Sequence, residues 1–137
     1  MAMGGCGATA PANNLANFTG ATWSGSLSAS ATCNNMTMIP LAVFPAQITF
    51  QSAAPNEIEY TSGDGCLFKF GVSGDTATLS NGPVKCSKVV LGAAIALTYR
   101  QYTATTTDGH NLTAEVTYDT LAGSITCTFT GNGAATR

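Results

Sequence analysis

Between Gly65 and Cys86 the chain alternates with a period of two. Phe68, Phe70 and Val72 fall on one side, Ser73-Gly74-Asp75 turns the chain, and Ala77 and Leu79 resume the pattern. A helix repeats every 3.6 residues and scatters such a set, whereas an extended strand puts every second side chain on the same face. The stretch therefore predicts a β-hairpin with one buried face. Cys66 and Cys86 stand near its ends, where a disulfide would staple it.

The same alternation recurs along the chain. From Thr22 to Cys33 the odd positions are Trp23, Gly25, Leu27, Ala29, Ala31 and Cys33, and every even position carries a hydroxyl. Ile48 and Phe50, then Ile58 and Tyr60, then Ile95, Leu97 and Tyr99 read as further inward sets. Asp108-Gly109 signals a two-residue hairpin turn before Leu112, Ala114, Val116 and Tyr118. A last strand carries Ile125, Cys127 and Phe129. Asn34 to Ala46 contains Pro40 and Pro45 and reads instead as an apolar connection that covers something. Eight strands and no helix result. The expected fold is all-β, a single-domain antiparallel meander closing as an eight-stranded β-barrel, because closure removes exposed sheet edges. A β-sandwich is the alternative. Residues 1–18 are expected to be a disordered tail or lipoprotein-like linker, 19–131 the barrel domain and 132–137 a C-terminal tail.

Cysteine use bears on the compartment. Five are present, none in a C-x-x-C pair, and the single histidine, His110, is remote from them. That spacing does not suit zinc. Two disulfides fit better and imply an oxidising, extracellular or cell-envelope setting. Cys33 and Cys127 occupy inward positions of the first and last strands, so Cys33–Cys127 with Cys66–Cys86 is the expected pairing. Four cysteines allow three pairings, and a sandwich with Cys33–Cys86 or Cys66–Cys127 is the alternative. The fifth, Cys6, lies in Gly4-Gly5-Cys6-Gly7, which resembles the end of a bacterial lipoprotein signal whose cysteine is acylated. No apolar segment precedes it; the alternative is a tail with a spare thiol.

A second resemblance lies at the start of the first strand. Phe18-Thr19-Gly20-Ala21-Thr22-Trp23 resembles the glycine-then-tryptophan opening of lipocalins and avidin-like biotin binders. Those families are eight-stranded antiparallel barrels that hold a small ligand at one mouth, so the resemblance implies that topology. One residue too many separates Gly20 from Trp23, and Trp23 is the sole tryptophan, so no biotin site carries over.

Charge excludes some functions. Charged residues make up 9% of the chain and the net charge is -2, which provides no footprint for nucleic acid. No run approaches the roughly 18 apolar residues of a membrane-spanning helix. Asp108 and His110 sit two apart at a turn signal and are assigned to turn geometry rather than acid–base chemistry. Asp64, Asp75 and Asp119 also stand at turns, without the ligand series of a calcium loop. No catalytic residue, metal or cofactor is assigned, and the chain is expected not to be an enzyme. The expected function is binding a small apolar ligand, with Trp23, Ala29, Tyr60, Tyr99 and Tyr118 lining the interior and Met36, Met38 or Phe44 forming a lid over a cavity at Ala29. The alternative is a structural or adhesive surface protein that contacts other proteins and holds no small molecule.

Overall fold

The computed structural model describes residues 15–34, 36–63 and 65–137, with the backbone alone for 36–45 and Val90. A short helix, α1 (Leu15–Phe18), precedes ten strands. They are β1 (Trp23–Cys33), β2 (Met36–Ile48), β3 (Gln51–Ser52), β4 (Glu57–Thr61), β5 (Leu67–Ser73), β6 (Thr76–Leu79), β7 (Val84–Val90), β8 (Ala93–Thr105), β9 (Asn111–Ala122) and β10 (Ile125–Thr136). All pair antiparallel in one sheet; nine follow the order β2-β1-β10-β9-β8-β6-β5-β4-β3, and β7 pairs with β8 off that path. The sheet curls into an open half-barrel.

The count rises from the eight expected strands to ten because two of them break. β2 and β3 are one stretch of chain interrupted at Thr49 and Phe50, and they stand at opposite ends of the strand order. β6 and β7 pair with successive segments of β8, Thr105–Thr103 and then Tyr99–Ala93. At the break between them the Asn81 side chain substitutes for a strand. Its Oδ1 accepts from the Lys69 amide (3.0 Å) and its Nδ2 donates to the Leu67 carbonyl (3.1 Å).

Three expectations are corrected. The segment read as a covering loop is the 13-residue strand β2, running beside β1 with Pro40 opposite Ser30 and Pro45 opposite Ser26. Proline cannot donate to a ladder, and β2 escapes that requirement by standing at an end of the order. Residues 15–18 and 132–136, expected to lie in the tails, belong to the fold. Phe18 of α1 is fully buried, and β10 continues to Thr136. Asp108-Gly109 lies within a five-residue connection, 106–110, rather than a two-residue turn.

The half-barrel has two unlike ends. At the covered end lie α1, the β5–β6 turn, the β8–β9 connection and Arg137. The rim at the other end is formed by the turns β1–β2, β7–β8 and β9–β10 and the β4–β5 connection. Phe18, Trp23, Phe50, Ile58, Phe68 and Phe70 belong to the buried core. Trp23 donates from Nε1 to the Phe18 carbonyl at 3.0 Å. Arg137 lies 4.4 Å from the Trp23 ring centroid. Its guanidinium donates to the carbonyls of Thr19 (2.6 Å), Asn17 (2.8 Å) and Gly109 (2.8 Å). The C-terminal residue thus joins helix, first strand and β8–β9 connection. Gly25 lets β1 and β10 approach closely there, since a Cβ would run into the Ala134 carbonyl and meet the Ala135 Cα at 2.6 Å.

Cys33 is bonded to Cys127 and Cys66 to Cys86, each with S–S 2.00 Å. Their sequence separations are 94 and 20 residues. In the chain-entropy model they contribute about 4–5 and about 3 kcal/mol. Urea unfolding of the two Cys→Ala double variants should rank them in that order. Arg137→Ala should cost about 2–4 kcal/mol, because it removes charge-assisted bonds to three carbonyls and the face of Trp23. Arg137→Lys, which cannot fork to several acceptors, should recover less than half of that in the same measurement.

Candidate functional site

The inner wall is built from rings. Phe18 meets Phe50 edge-on at 6.0 Å between centroids, Phe50 meets Phe70 at 5.6 Å and Tyr60 at 6.3 Å, and Tyr60 stacks on Phe68 at 5.8 Å. From Phe68 the chain of contacts passes to Tyr99 (4.8 Å), Tyr118 (4.8 Å) and Phe129 (4.9 Å). Tyr99, Tyr118 and Phe129 are cross-strand neighbours on β8, β9 and β10. A register shift between Tyr99 and Gln101 adds one residue to β8. That bulge changes the phase of the strand. Both Tyr99 and Tyr102 can therefore face inward and touch Phe68, the latter at 5.3 Å.

Burial pushes the Tyr102 hydroxyl well above the usual phenol range, with Tyr60 and Tyr99 adding to the shift. Burial also raises Tyr118. Tyr99, Tyr118 and Phe129 are only half-buried, so this part of the wall faces the open interior.

Of the residues assigned to ligand binding, Tyr60, Tyr99 and Tyr118 are joined through Phe68 on this wall. Trp23 lies apart from them, at the covered end under Arg137. Ala29 is buried opposite Gly131. The side chains of Met36, Met38 and Phe44, assigned to a lid, and Cys6, assigned to acylation, lie outside the described residues.

An apolar crevice of about 70 Å³ lies inside, lined by Trp23, Leu27, Ile48, Tyr102, Leu112 and Ala114 among others. Larger depressions are polar or open, among them one of about 310 Å³ lined by Thr78, Gln101, Glu115 and Thr117 with others. Another of about 360 Å³ lies where β2 passes into β3, lined by Thr22, Gln47, Thr49, Gln51, Glu59 and Tyr60. A third, about 550 Å³, holds the Arg100–Asp119 ion pair (3.0 Å), with Thr128 donating to Asp119 at 2.8 Å. Its two charges neutralise each other, and both side chains are well exposed.

No acid–base pair assembles at His110. Asp108 Oδ1 accepts from the amides of His110 and Asn111, each at 2.8 Å, and Oδ2 accepts from Asn111 Nδ2 at 2.8 Å. The carboxylate is therefore committed to the turn. Among the described residues no three His, Cys, Asp or Glu side chains gather as a metal site. No described helix is long and apolar enough to cross a membrane.

Two features escaped the sequence. Arg137 shares the odd-numbered phase of Cys127 and Phe129, which placed it on the inner face, a position where a charge requires partners. The other feature is the rim. Leu67, Val89, Leu91, Leu121 and Ile125 are the large hydrophobics left exposed among the described residues, and all five lie at that end. The alternation counted Ile125 as inward; it is 55% exposed because the wall ends beside it. No protein-family model, curated protein or solved structure matches the chain.

The turn carboxylate sets a pH dependence. The hydrogen bond from the Asn111 side chain, followed by those from the His110 and Asn111 amides, holds Asp108 well below its ordinary value of 3.8. A depressed folded-state value contributes stability above the unfolded value and loses it as pH falls through the folded one. Between about pH 5 and pH 2, Asp108→Asn should therefore lose less stability than the wild type in thermal unfolding.

Proposed function

We propose that this is a non-enzymatic protein of an oxidising compartment, extracellular or cell-envelope, that works by surface contact at its rim. Among the described residues, the gathering of the five exposed large hydrophobics at one end carries this proposal. Scattered singly, such residues need no explanation, whereas grouped ones mark interaction sites. The paired cysteines support the compartment, since disulfides persist where the medium is oxidising.

Volume argues against a small-molecule carrier. The crevice of about 70 Å³ is roughly half the size of a cavity that admits benzene, about 150 Å³, and far below the roughly 300 Å³ of ordinary ligand pockets. One observation favours the second reading, a small apolar ligand. The half-buried Tyr99, Tyr118 and Phe129 form a wall against which an apolar molecule could lie.

We also propose that the curl follows the eight-lane plan that the opening residues share with lipocalins and avidin-like proteins. Counting β2 with β3, and β6 with β7, as single lanes supports this, as does the chain's own passage from one end of the strand order to the other. On this view the barrel plan serves as a scaffold for the rim.

A fluorescent apolar probe distinguishes the two functions through a pair of variants. Leu91→Asn should reduce probe binding while Ala29→Leu leaves it unchanged; the reverse pattern would establish an interior site. Ala29 is 7% exposed, and a Cβ on its partner Gly131 would already meet Leu27 at 3.1 Å and Val116 at 3.2 Å. Ala29→Leu should accordingly cost about 1–3 kcal/mol in urea unfolding.

A further inference from the structure

We propose that the rim docks on an anionic lipid surface, an inference that rests on reading the rim as the contact site. The β7–β8 turn shows most clearly what this end is built for. Val90 pairs with Ala93, so Leu91 and Gly92 alone make the turn, with φ of 53° and 82°. Positive φ at both central positions calls for Asn, Asp or Gly, and a leucine there is strained. Leu91 is 101% exposed and so gains no burial within this chain in return. Val89, just before it, is 70% exposed. Such a side chain suits a surface that it can enter.

The distribution of the five residues favours lipid over a folded partner. They stand on separate elements: Leu67 at the start of β5, Val89 and Leu91 at the β7–β8 tip, Leu121 near the end of β9 and Ile125 at the start of β10. A folded partner would need a separate pocket for each projection. The apolar layer of a bilayer is fluid and accepts all of them at different depths.

Charge points the same way. Lys69 and Lys88 lie on the rim half of their strands, and Lys85 lies opposite Thr98 on the rim half of β8, whereas Arg100 stands just past the middle of β8 and Glu59 at the middle of β4. Glu59 faces Lys69 across the β4–β5 register, and Asp119 is bound by Arg100. Toward the covered end stand Glu57, Asp75, Asp108 and Glu115 against Arg137. Among the described residues the rim half is thus positive, while the whole chain is net -2. Lys88 stands on β7 three residues before Leu91, close enough to the tip for an anionic headgroup layer to meet it.

Co-sedimentation of the full chain with vesicles tests this. Vesicles of phosphatidylglycerol should carry the protein down, and vesicles of phosphatidylcholine alone should do so more weakly. Leu91→Asn places a residue suited to the left-handed conformation at the turn, so the fold is retained while the apolar tip is lost. It should weaken binding to phosphatidylglycerol vesicles about tenfold. Ile125→Ser, on a different turn, should weaken it as well, with thermal unfolding confirming that both variants fold. Equal binding of wild type and Leu91→Asn would overturn the proposal, as would failure of the wild type to bind phosphatidylglycerol. If binding fails while the apolar probe still responds to Leu91→Asn, the rim remains a contact site and lipid is excluded as its partner. A concentration-dependent dimer that Leu91→Asn dissolves, in the absence of vesicle binding, would identify a second copy as the occupant instead.

Discussion

Ten residue pairs hold β1 against β10, from Ser24 opposite Thr136 to Cys33 opposite Cys127. The rest of the half-barrel depends on this ladder. Every other connection in the sheet joins strands close in sequence, and such a meander can lie open. Pairing the first strand with the last requires it to curl. Both ends of the ladder are fastened: at the rim by the Cys33–Cys127 bond, at the covered end by Arg137 lying over Trp23 and holding the carbonyls that follow α1. Closing a loop of 94 residues is entropically expensive, and a covalent bond removes much of that cost from folding by constraining the unfolded chain. Arg137 extends the fastening to the β8–β9 connection through Gly109.

Within this frame the rings compensate for a sheet made largely of small and hydroxylated residues. Beyond Trp23, β1 presents Gly25, Ala29 and Ala31 inward, so the rest of the strand supplies little volume of its own. Phe50, Phe68 and Phe70 supply it from the other side of the curl, and Tyr99, Tyr118 and Phe129 continue the contacts around the wall. The bulge on β8 is part of the same solution, since it turns Tyr99 and Tyr102 together toward Phe68. The Tyr102 phenol, buried among these rings, stays protonated.

Much of this was legible because period-two alternation is a local property. Phe68, Phe70 and Val72 point inward for the reason their spacing gives, and the odd phase of β1 carries Trp23, Ala29 and Ala31 to the interior. Illegible features depended on where strands end and which strand borders which. Pro40 and Pro45 argued against a strand only as long as β2 was imagined with neighbours on both sides. Arg137 looked like the end of a tail because its partners, Asn17, Thr19 and Gly109, lie far away in sequence. The candidate site suffered most. Tyr60, Tyr99 and Tyr118 do share a wall, but Trp23 is held at the opposite end, and exposure at the rim follows from strand length rather than residue type.

The two connections flanking β8 show how differently the ends of one strand can be treated. At the covered end, Asp108 spends both carboxylate oxygens on the backbone and side chain of its own turn, and Gly109 takes the positive φ. Side chain and conformation agree there, as they should where the only demand is stability. At the rim, Leu91 occupies a conformation that asparagine or glycine would adopt more easily, and it projects into solvent. A residue that satisfies neither local geometry nor burial conflicts with foldability on two counts. Local conflicts of this kind concentrate where a surface does something other than hold the fold together. The contrast between these two turns supports the proposal that the rim is the working end of the protein.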